Sequence, residues 1–199
     1  LPTSKPQPEG ADDVHDVFRF ADEFGPGRIL HIHLAAAGLK AIVVIDNTAC
    51  GPAVGGVRMA PDVSVEECVR LARAMTWKNA AAGLPHGGGK SVIFGDPQMG
   101  AEKKEQLIRA FAGAIRHIVD YAPGPDMGTD ERCMAWIKDE TGRAVGLPVT
   151  MGGIPLDEIG ATGFGLAACV DVAREFIGLD LKGARVAVQG FGAVGKHAA

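Results

Sequence analysis

The chain has 199 residues, enough for one domain, or one domain and part of a second, with a core that needs no disulfide or metal staples. Apolar residues make up 47% and charged residues 22%, which excludes a disordered chain. A net charge of −4, from 20 basic and 24 acidic residues, argues against nucleic acid or an anionic membrane as partner. In chain order, residues 1–10 carry three prolines and no apolar signal core, so they read as a flexible leader and the expected location is cytoplasmic. A short helical stretch at 12–24 ends at Gly25-Pro26-Gly27. Two Ile/Val/Leu-rich runs, 28–34 and 39–46, separated by Ala-Ala-Ala-Gly, suit a strand hairpin, and 53–59 suits a third strand. Ser64 then caps a helix with Glu66 and Glu67 in its first turn. On that helix Cys68, Leu71, Met75, Lys78 and Ala82 share one stripe, so Lys78 is expected to be a buried cation with an anionic partner.

Residues 91–95 read as a short buried strand and 101–120 as a helix. Pro123-Gly124-Pro125 calls for a loop, and 129–141 for another helix. Residues 142–155, with four glycines and two prolines, form the best domain boundary. The organisation expected is a first domain over 1–150 and the start of a second over 151–199. In the second, a helix at 157–177 should be buried on more than one side, and a strand at 185–189 should run into a glycine-rich turn. The overall expectation is an α/β fold with a mixed sheet, followed by one further strand, turn and helix.

Glycine is the compositional outlier, with 28 residues, or about twice the usual share, pointing to turns and close backbone approaches. Cys50, Cys68, Cys133 and Cys169 form no C-x-x-C pair, so no metal site is expected and they read as reduced core thiols. Gly190-Phe-Gly-Ala-Val-Gly195 follows a strand and opens a helix, the context in which G-x-G-x-x-G lets a dinucleotide pyrophosphate approach the backbone. The acidic residue that completes this fingerprint, about 20 positions on, would fall past Ala199. Gly87-Gly88-Gly89-Lys90-Ser91 invites comparison with a phosphate-binding loop. Leu84, however, stands where that pattern needs its first glycine, and the helix and strand come in the wrong order. What remains is a loop lysine on a bared backbone that a small ligand can approach. Asp126 reads by itself as a turn aspartate.

Taken together, six ordered motifs carry a resemblance. They are Gly55-Gly56-Val57-Arg58-Met59, Met75-Thr76-Trp77-Lys78-Asn79-Ala80, Leu84-Pro85-His86-Gly87-Gly88-Gly89-Lys90, Gly124-Pro125-Asp126-Met127-Gly128-Thr129, Ala161-Thr162-Gly163-Phe164-Gly165 and Gln189-Gly190-Phe191-Gly192. The series resembles the glutamate/leucine/phenylalanine/valine dehydrogenase family over nearly the whole chain after residue 30. The resemblance implies a substrate-binding and oligomerisation domain followed by the first βα turn of a Rossmann domain, with catalysis between them. It implies a homo-oligomer acting on a small amino acid with NAD, or NADP in its place. Lys90 and Asp126 match the family's catalytic lysine and aspartate, and Lys78 the lysine that pairs with the substrate α-carboxylate. Val54, Gly55, Gly56, Met75 and Gly124 fall at substrate-binding positions. Thr162, Gly190, Gly192, Ala193, Val194 and Gly195 fall at cofactor-binding ones.

Glutamate-specific members carry a lysine just before the glycine pair, where this chain has Val54. An apolar residue there leaves a substrate carboxylate without a counter-charge, so an aliphatic or aromatic L-amino acid is expected, oxidatively deaminated to its 2-oxo acid and ammonia. Gly124 is expected to leave more room than alanine and to admit an aromatic ring. The alternatives are a glutamate dehydrogenase and a non-catalytic homologue used for assembly.

Overall fold

The computed structural model describes residues 17–156 and 158–199. The expected leader, and the first part of the expected helix at 12–24, lie outside the described residues. Residues 17–20 form a turn.

The hairpin forms where the apolar runs placed it. Strands β1 (Arg28–Leu34) and β2 (Leu39–Asn47) pair antiparallel, joined by a 3-10 turn at Ala35–Ala37 and by Gly38 at φ +63°. Next come β3 (Ala53–Ala60), α1 (Val65–Ala81), β4 (Gly87–Phe94), α2 (Ala101–Ile115), β5 (Tyr121–Pro125) and α3 (Glu131–Thr141). The sheet order is β1-β2-β4-β3-β5, with β2–β4 antiparallel and β3 parallel to both β4 and β5, so the sheet is mixed. Helices cover both faces, and β2 accordingly reads as an almost unbroken buried run. On one face Val69 and Ala72 of α1 pack over Ile42, Val44 and Val92. On the other, Phe111 and Ile108 of α2 and Met134 and Ile137 of α3 pack over Val43, Ile45, Val57 and Ile93.

Three expectations about this sheet need correction. The glycines 87–89 are the start of β4, which therefore begins four residues before Ser91, and Lys90 sits in a strand instead of a loop. Close approach, not strand propensity, selects glycine here: a Cβ on Gly88 would lie 2.2 Å from the Thr76 nitrogen of α1. Pro123-Gly124-Pro125 belongs to β5, an edge strand where missing N–H groups are tolerated. Helix α2 ends at Ile115, five residues short of its expected end. Thr129 and Asp130 precede α3, and Asp130 caps it by accepting from the Cys133 N–H at 2.8 Å.

Beyond the sheet lie α4 (Ala161–Ile177) and α5 (Ala193–Ala198). The expected burial of this helix is not found. Among its described residues Gly163 alone is buried, and Phe164, Val172 and Phe176 are exposed. Residues 185–189 carry no ladder pairing with any described residue, so they form no strand. Cys68 and Cys133 are buried, but Cys50 and Cys169 are exposed, which corrects the reading of all four as core thiols. Among the described residues, no helix is long and apolar enough to cross a membrane.

Candidate active site

Helix α1 is fixed to the sheet by polar contacts as well as apolar ones. Asp46, buried at the end of β2, accepts from Arg73 Nε at 2.9 Å and from the Thr76 hydroxyl at 2.6 Å. Asn79 donates to the Gly87 carbonyl at 2.7 Å. The buried row of α1 is thus Cys68, Val69, Ala72 and Asn79, one position round from the stripe expected to hold Lys78. Lys78 is exposed, and no ion pair or hydrogen bond joins its ammonium to a described residue. Its expected buried counter-ion does not exist among them. Instead Met75 and Lys78 border a cleft.

Lys90 is 6% exposed, on the α1 face of β4, and its Nζ forms an ion pair with Oδ2 of Asp126. The neighbouring Ser91, on the opposite face, donates to the Tyr121 hydroxyl at 2.9 Å, which donates to the Gly55 carbonyl at 3.1 Å. Tyr121 is wholly buried, and that burial pushes its phenol well above its usual range. It bonds as a neutral hydroxyl, bracing β3 against β4 beside Lys90.

Asp126 leaves the end of β5 in a turn pinned to β3. Its N–H donates to Thr129 Oγ1 at 3.0 Å, Thr129 donates to the Val57 carbonyl at 2.7 Å, and Met59 N–H donates to the Met127 carbonyl at 2.9 Å. Gly128 permits this docking: its φ is +82°, and a Cβ there would lie 2.1 Å from the Met59 carbonyl oxygen. Burial opposes ionisation of Asp126, but the Lys90 bond and charge, the Met127 N–H at 2.8 Å and the Arg58 charge outweigh it and hold its carboxyl below the usual value.

These groups face one cleft of about 840 Å³. Every residue picked out from the sequence borders it: Val54, Gly55 and Gly56 from β3, Met75 and Lys78 from α1, and Lys90, Gly124 and Asp126 from the neighbouring strands. Thr162, Gly190, Gly192, Ala193, Val194 and Gly195 close its other side. Sequence reasoning missed Val145, Ile154 and Leu156, which add apolar wall, and Glu131, which adds a carboxylate. The first three lie in or just beyond the glycine- and proline-rich stretch, where no periodicity signals a facing side. Nor does Gly124 leave open room as expected, since a Cβ there would meet Val145 Cγ2 at 2.9 Å. Val145 fills that space.

The glycines of the 190–195 turn differ in their surroundings. Gly190 has φ +82°, and a Cβ on Gly190 or Gly192 would meet nothing within 4 Å, leaving the backbone open to a close ligand. At Gly195 a Cβ would strike the Gly190 carbonyl oxygen at 2.0 Å and Val188 at 3.2 Å, so this glycine keeps the turn closed.

The family model described as "Glu/Leu/Phe/Val dehydrogenase, dimerisation domain" matches residues 26–143, more than half of the chain. The model of the glutamate/leucine/phenylalanine/valine dehydrogenases matches 152–199. The chain belongs to the Glu/Leu/Phe/Val dehydrogenase family. Members of this family are amino-acid dehydrogenases that use NAD(P). Leucine dehydrogenase of Geobacillus stearothermophilus is 39% identical over 191 residues, covering 92% of this chain and 51% of its own. Glutamate dehydrogenase of Thermotoga maritima is 42% identical over 166 residues, covering 77% and 40%. The hetero-hexameric glutamate dehydrogenase of Thermus thermophilus superposes with a TM-score of 0.77 at 34% identity, over 86% of this chain and 46% of that one. The chain thus spans about half the length of these relatives.

Proposed function

We propose that this family member catalyses NAD(P)-dependent oxidative deamination of an apolar L-amino acid, and the reverse reductive amination. The observation that carries the reading is that Lys78, Lys90 and Asp126 border the same cleft as Val54, Met75 and Val145. Two cations and a carboxylate meet an apolar wall.

The 190–195 turn would hold the dinucleotide by its pyrophosphate, and the nicotinamide would supply a hydride acceptor for the substrate Cα–H. Lys78, exposed and without a partner among the described residues, holds the substrate α-carboxylate. Lys90 orients the amino group and the attacking water, and its charge stabilises the oxygen of that water as it adds to the substrate imine. Asp126 takes up the proton released as water adds to the substrate imine and returns it to the departing ammonia. Val54 and Val145 receive the side chain. Burying a leucine or phenylalanine side chain is worth about 1.5–3 kcal/mol. A glutamate carboxylate brought against Val54 loses its hydration and gains no ion pair, a cost of at least about 2 kcal/mol. Since about 1.4 kcal/mol is a tenfold preference, the two effects together favour apolar substrates by orders of magnitude.

The similarity to the Thermotoga maritima enzyme favours glutamate as the second reading. The test is kcat/KM for leucine, valine, phenylalanine and glutamate, with NAD and with NADP, on the natural full-length protein and on Val54→Lys. An apolar preference that Val54→Lys moves toward glutamate supports the first reading. Glutamate preferred by the unsubstituted protein selects the second. The dimerisation domain of the matched family supports assembly as a homo-oligomer.

A further inference from the structure

One oxygen of Asp126 accepts from two cations, and just one of these borders the cleft. Oδ2 receives the Lys90 ammonium and, at 3.2 Å, Nε of Arg58. Arg58 projects from the same face of β3 as Gly56 and reaches Asp126 without lining the cleft itself. Its Nη1 is paired with Glu67 in the first turn of α1, and the Glu67 N–H donates to the capping Ser64 hydroxyl at 3.1 Å. The Arg58 and Asp126 side chains are both 18% exposed, so solvent screens this contact only partly. A guanidinium stays protonated throughout the working range of an enzyme, whereas an ammonium can give up its proton.

We propose that Arg58 is a positioning residue that acts through Asp126, holding Oδ2 in place and presenting a permanent positive charge to it whatever the state of Lys90, with Glu67 fixing the guanidinium. The proposal rests on Asp126 being the proton carrier of the reaction above. Lys90 must exchange partners as water and substrate nitrogen come and go, and during that exchange Arg58 remains as the fixed neighbour of the carboxylate. Glu67 matters because its pairing with Nη1 leaves Nε directed at Asp126.

The charged and titratable groups around Asp126 are Lys90 of β4, Arg58 of β3, Glu67 and Lys78 of α1, Glu131 of α3 and Tyr121 of β5. Of these, Lys90 and Arg58 hold the carboxylate ionised, and Glu67 is paired with Arg58. Arg58 thus belongs to the set that keeps Asp126 ionised as the pH falls. Replacing it by a neutral residue raises the pH at which Asp126 takes a proton. A residue that merely tied α1 to β3 would change stability and leave that pH alone.

The experiment compares Arg58→Met and Arg58→Lys in the natural full-length protein. One readout is the pH dependence of kcat/KM. The other, which needs no turnover, is the pH titration of the protonated-carboxyl infrared band, assigned to Asp126 by its loss in Asp126→Asn. Arg58→Met is expected to move the band's midpoint and the acid limb of the rate up by about one pH unit. Arg58→Lys, which keeps the charge, leaves both within a few tenths of a unit and lowers kcat several-fold. If Arg58→Met does not fold, Arg58→Gln removes the same charge and is expected to give the same shift. A folded neutral variant whose band midpoint is unmoved overturns the proposal. A band that moves while the rate profile stays still upholds the Arg58–Asp126 relationship and overturns the role of Asp126 as proton carrier.

Discussion

Lys90 reaches Asp126 across an intervening strand, through space that Gly56 leaves empty. The two residues belong to β4 and to the end of β5, and β3 lies between those strands. A Cβ on Gly56 would lie 3.2 Å from Lys90 Nζ and 2.8 Å from Asp126 Cβ. Gly55 faces the other way, where a Cβ would collide with the Gly89 carbonyl oxygen at 1.6 Å. The glycine pair thus has two jobs, one in strand packing and one in the site. Gly56→Ala is expected to displace Asp126 from Lys90 and to reduce kcat/KM by about a hundredfold, since misplacements of about 1 Å have that effect. A Gly56→Ala protein with undiminished turnover would show that the ion pair does not matter for catalysis.

The two cleft lysines should fail in different ways. In the proposed reaction Lys90 meets charge that changes, whereas Lys78 holds a carboxylate that is charged throughout. Lys90→Ala is therefore expected to lower kcat by about a thousandfold or more, and Lys78→Ala mainly to raise KM. Steady-state kinetics on both variants decide it, and the reverse pattern exchanges the two roles.

Under the proposed function, Val145 limits the size of the side-chain pocket. Its N–H donates to the Pro123 carbonyl at 2.8 Å, which holds it against Gly124. Val145→Ala should open the pocket and raise the phenylalanine-to-leucine ratio of kcat/KM by about tenfold, the scale of one or two buried methyl groups. Gly124→Ala should push Val145 into the cleft and lower that ratio. Equal effects of both substitutions would place the side-chain pocket elsewhere.

The cysteines divide into two classes. Burial raises the Cys68 thiol to about 12 despite the Lys90 charge nearby, and the Cys133 thiol to about 11, where the Asp130 carboxylate adds to the rise. Cys68 is therefore a neutral thiol at pH 8. A thiol reagent should label exposed Cys50 quickly and reach Cys68 and Cys133 only on unfolding, as mass spectrometry of the modified peptides would show. Rapid native-state labelling of Cys68 would mean that α1 lifts from the sheet.

The hairpin, the helix capped by Ser64, the glycine turn and the cleft lysines were legible from residue order, because each depends on neighbours within a few positions. Apolar runs between turn residues specify β1 and β2 locally, and Ser64 finds its partner three residues on. Asp126 and Val54 stood out only through the family resemblance of the ordered motifs, since alone Asp126 reads as a turn aspartate. Other features rest on groups that meet through space. Three glycines have no strand propensity, and β4 begins there because Thr76 would overlap a Cβ on Gly88. The apolar stripe of α1 points to the row of Leu71, Met75 and Lys78, but docking on β2 and β4 buries Asn79 and leaves Lys78 at the cleft. Arg58 and Asp126 are 68 positions apart, and Gly124 and Val145 are joined by one turn of packing that no periodicity records. Local order determined which residues carry charge and where the chain bends. Which charges share an oxygen, and which side chain fills a gap, was decided by the parallel placement of β4, β3 and β5, since contacts of a few ångströms depend on the position of the whole sheet.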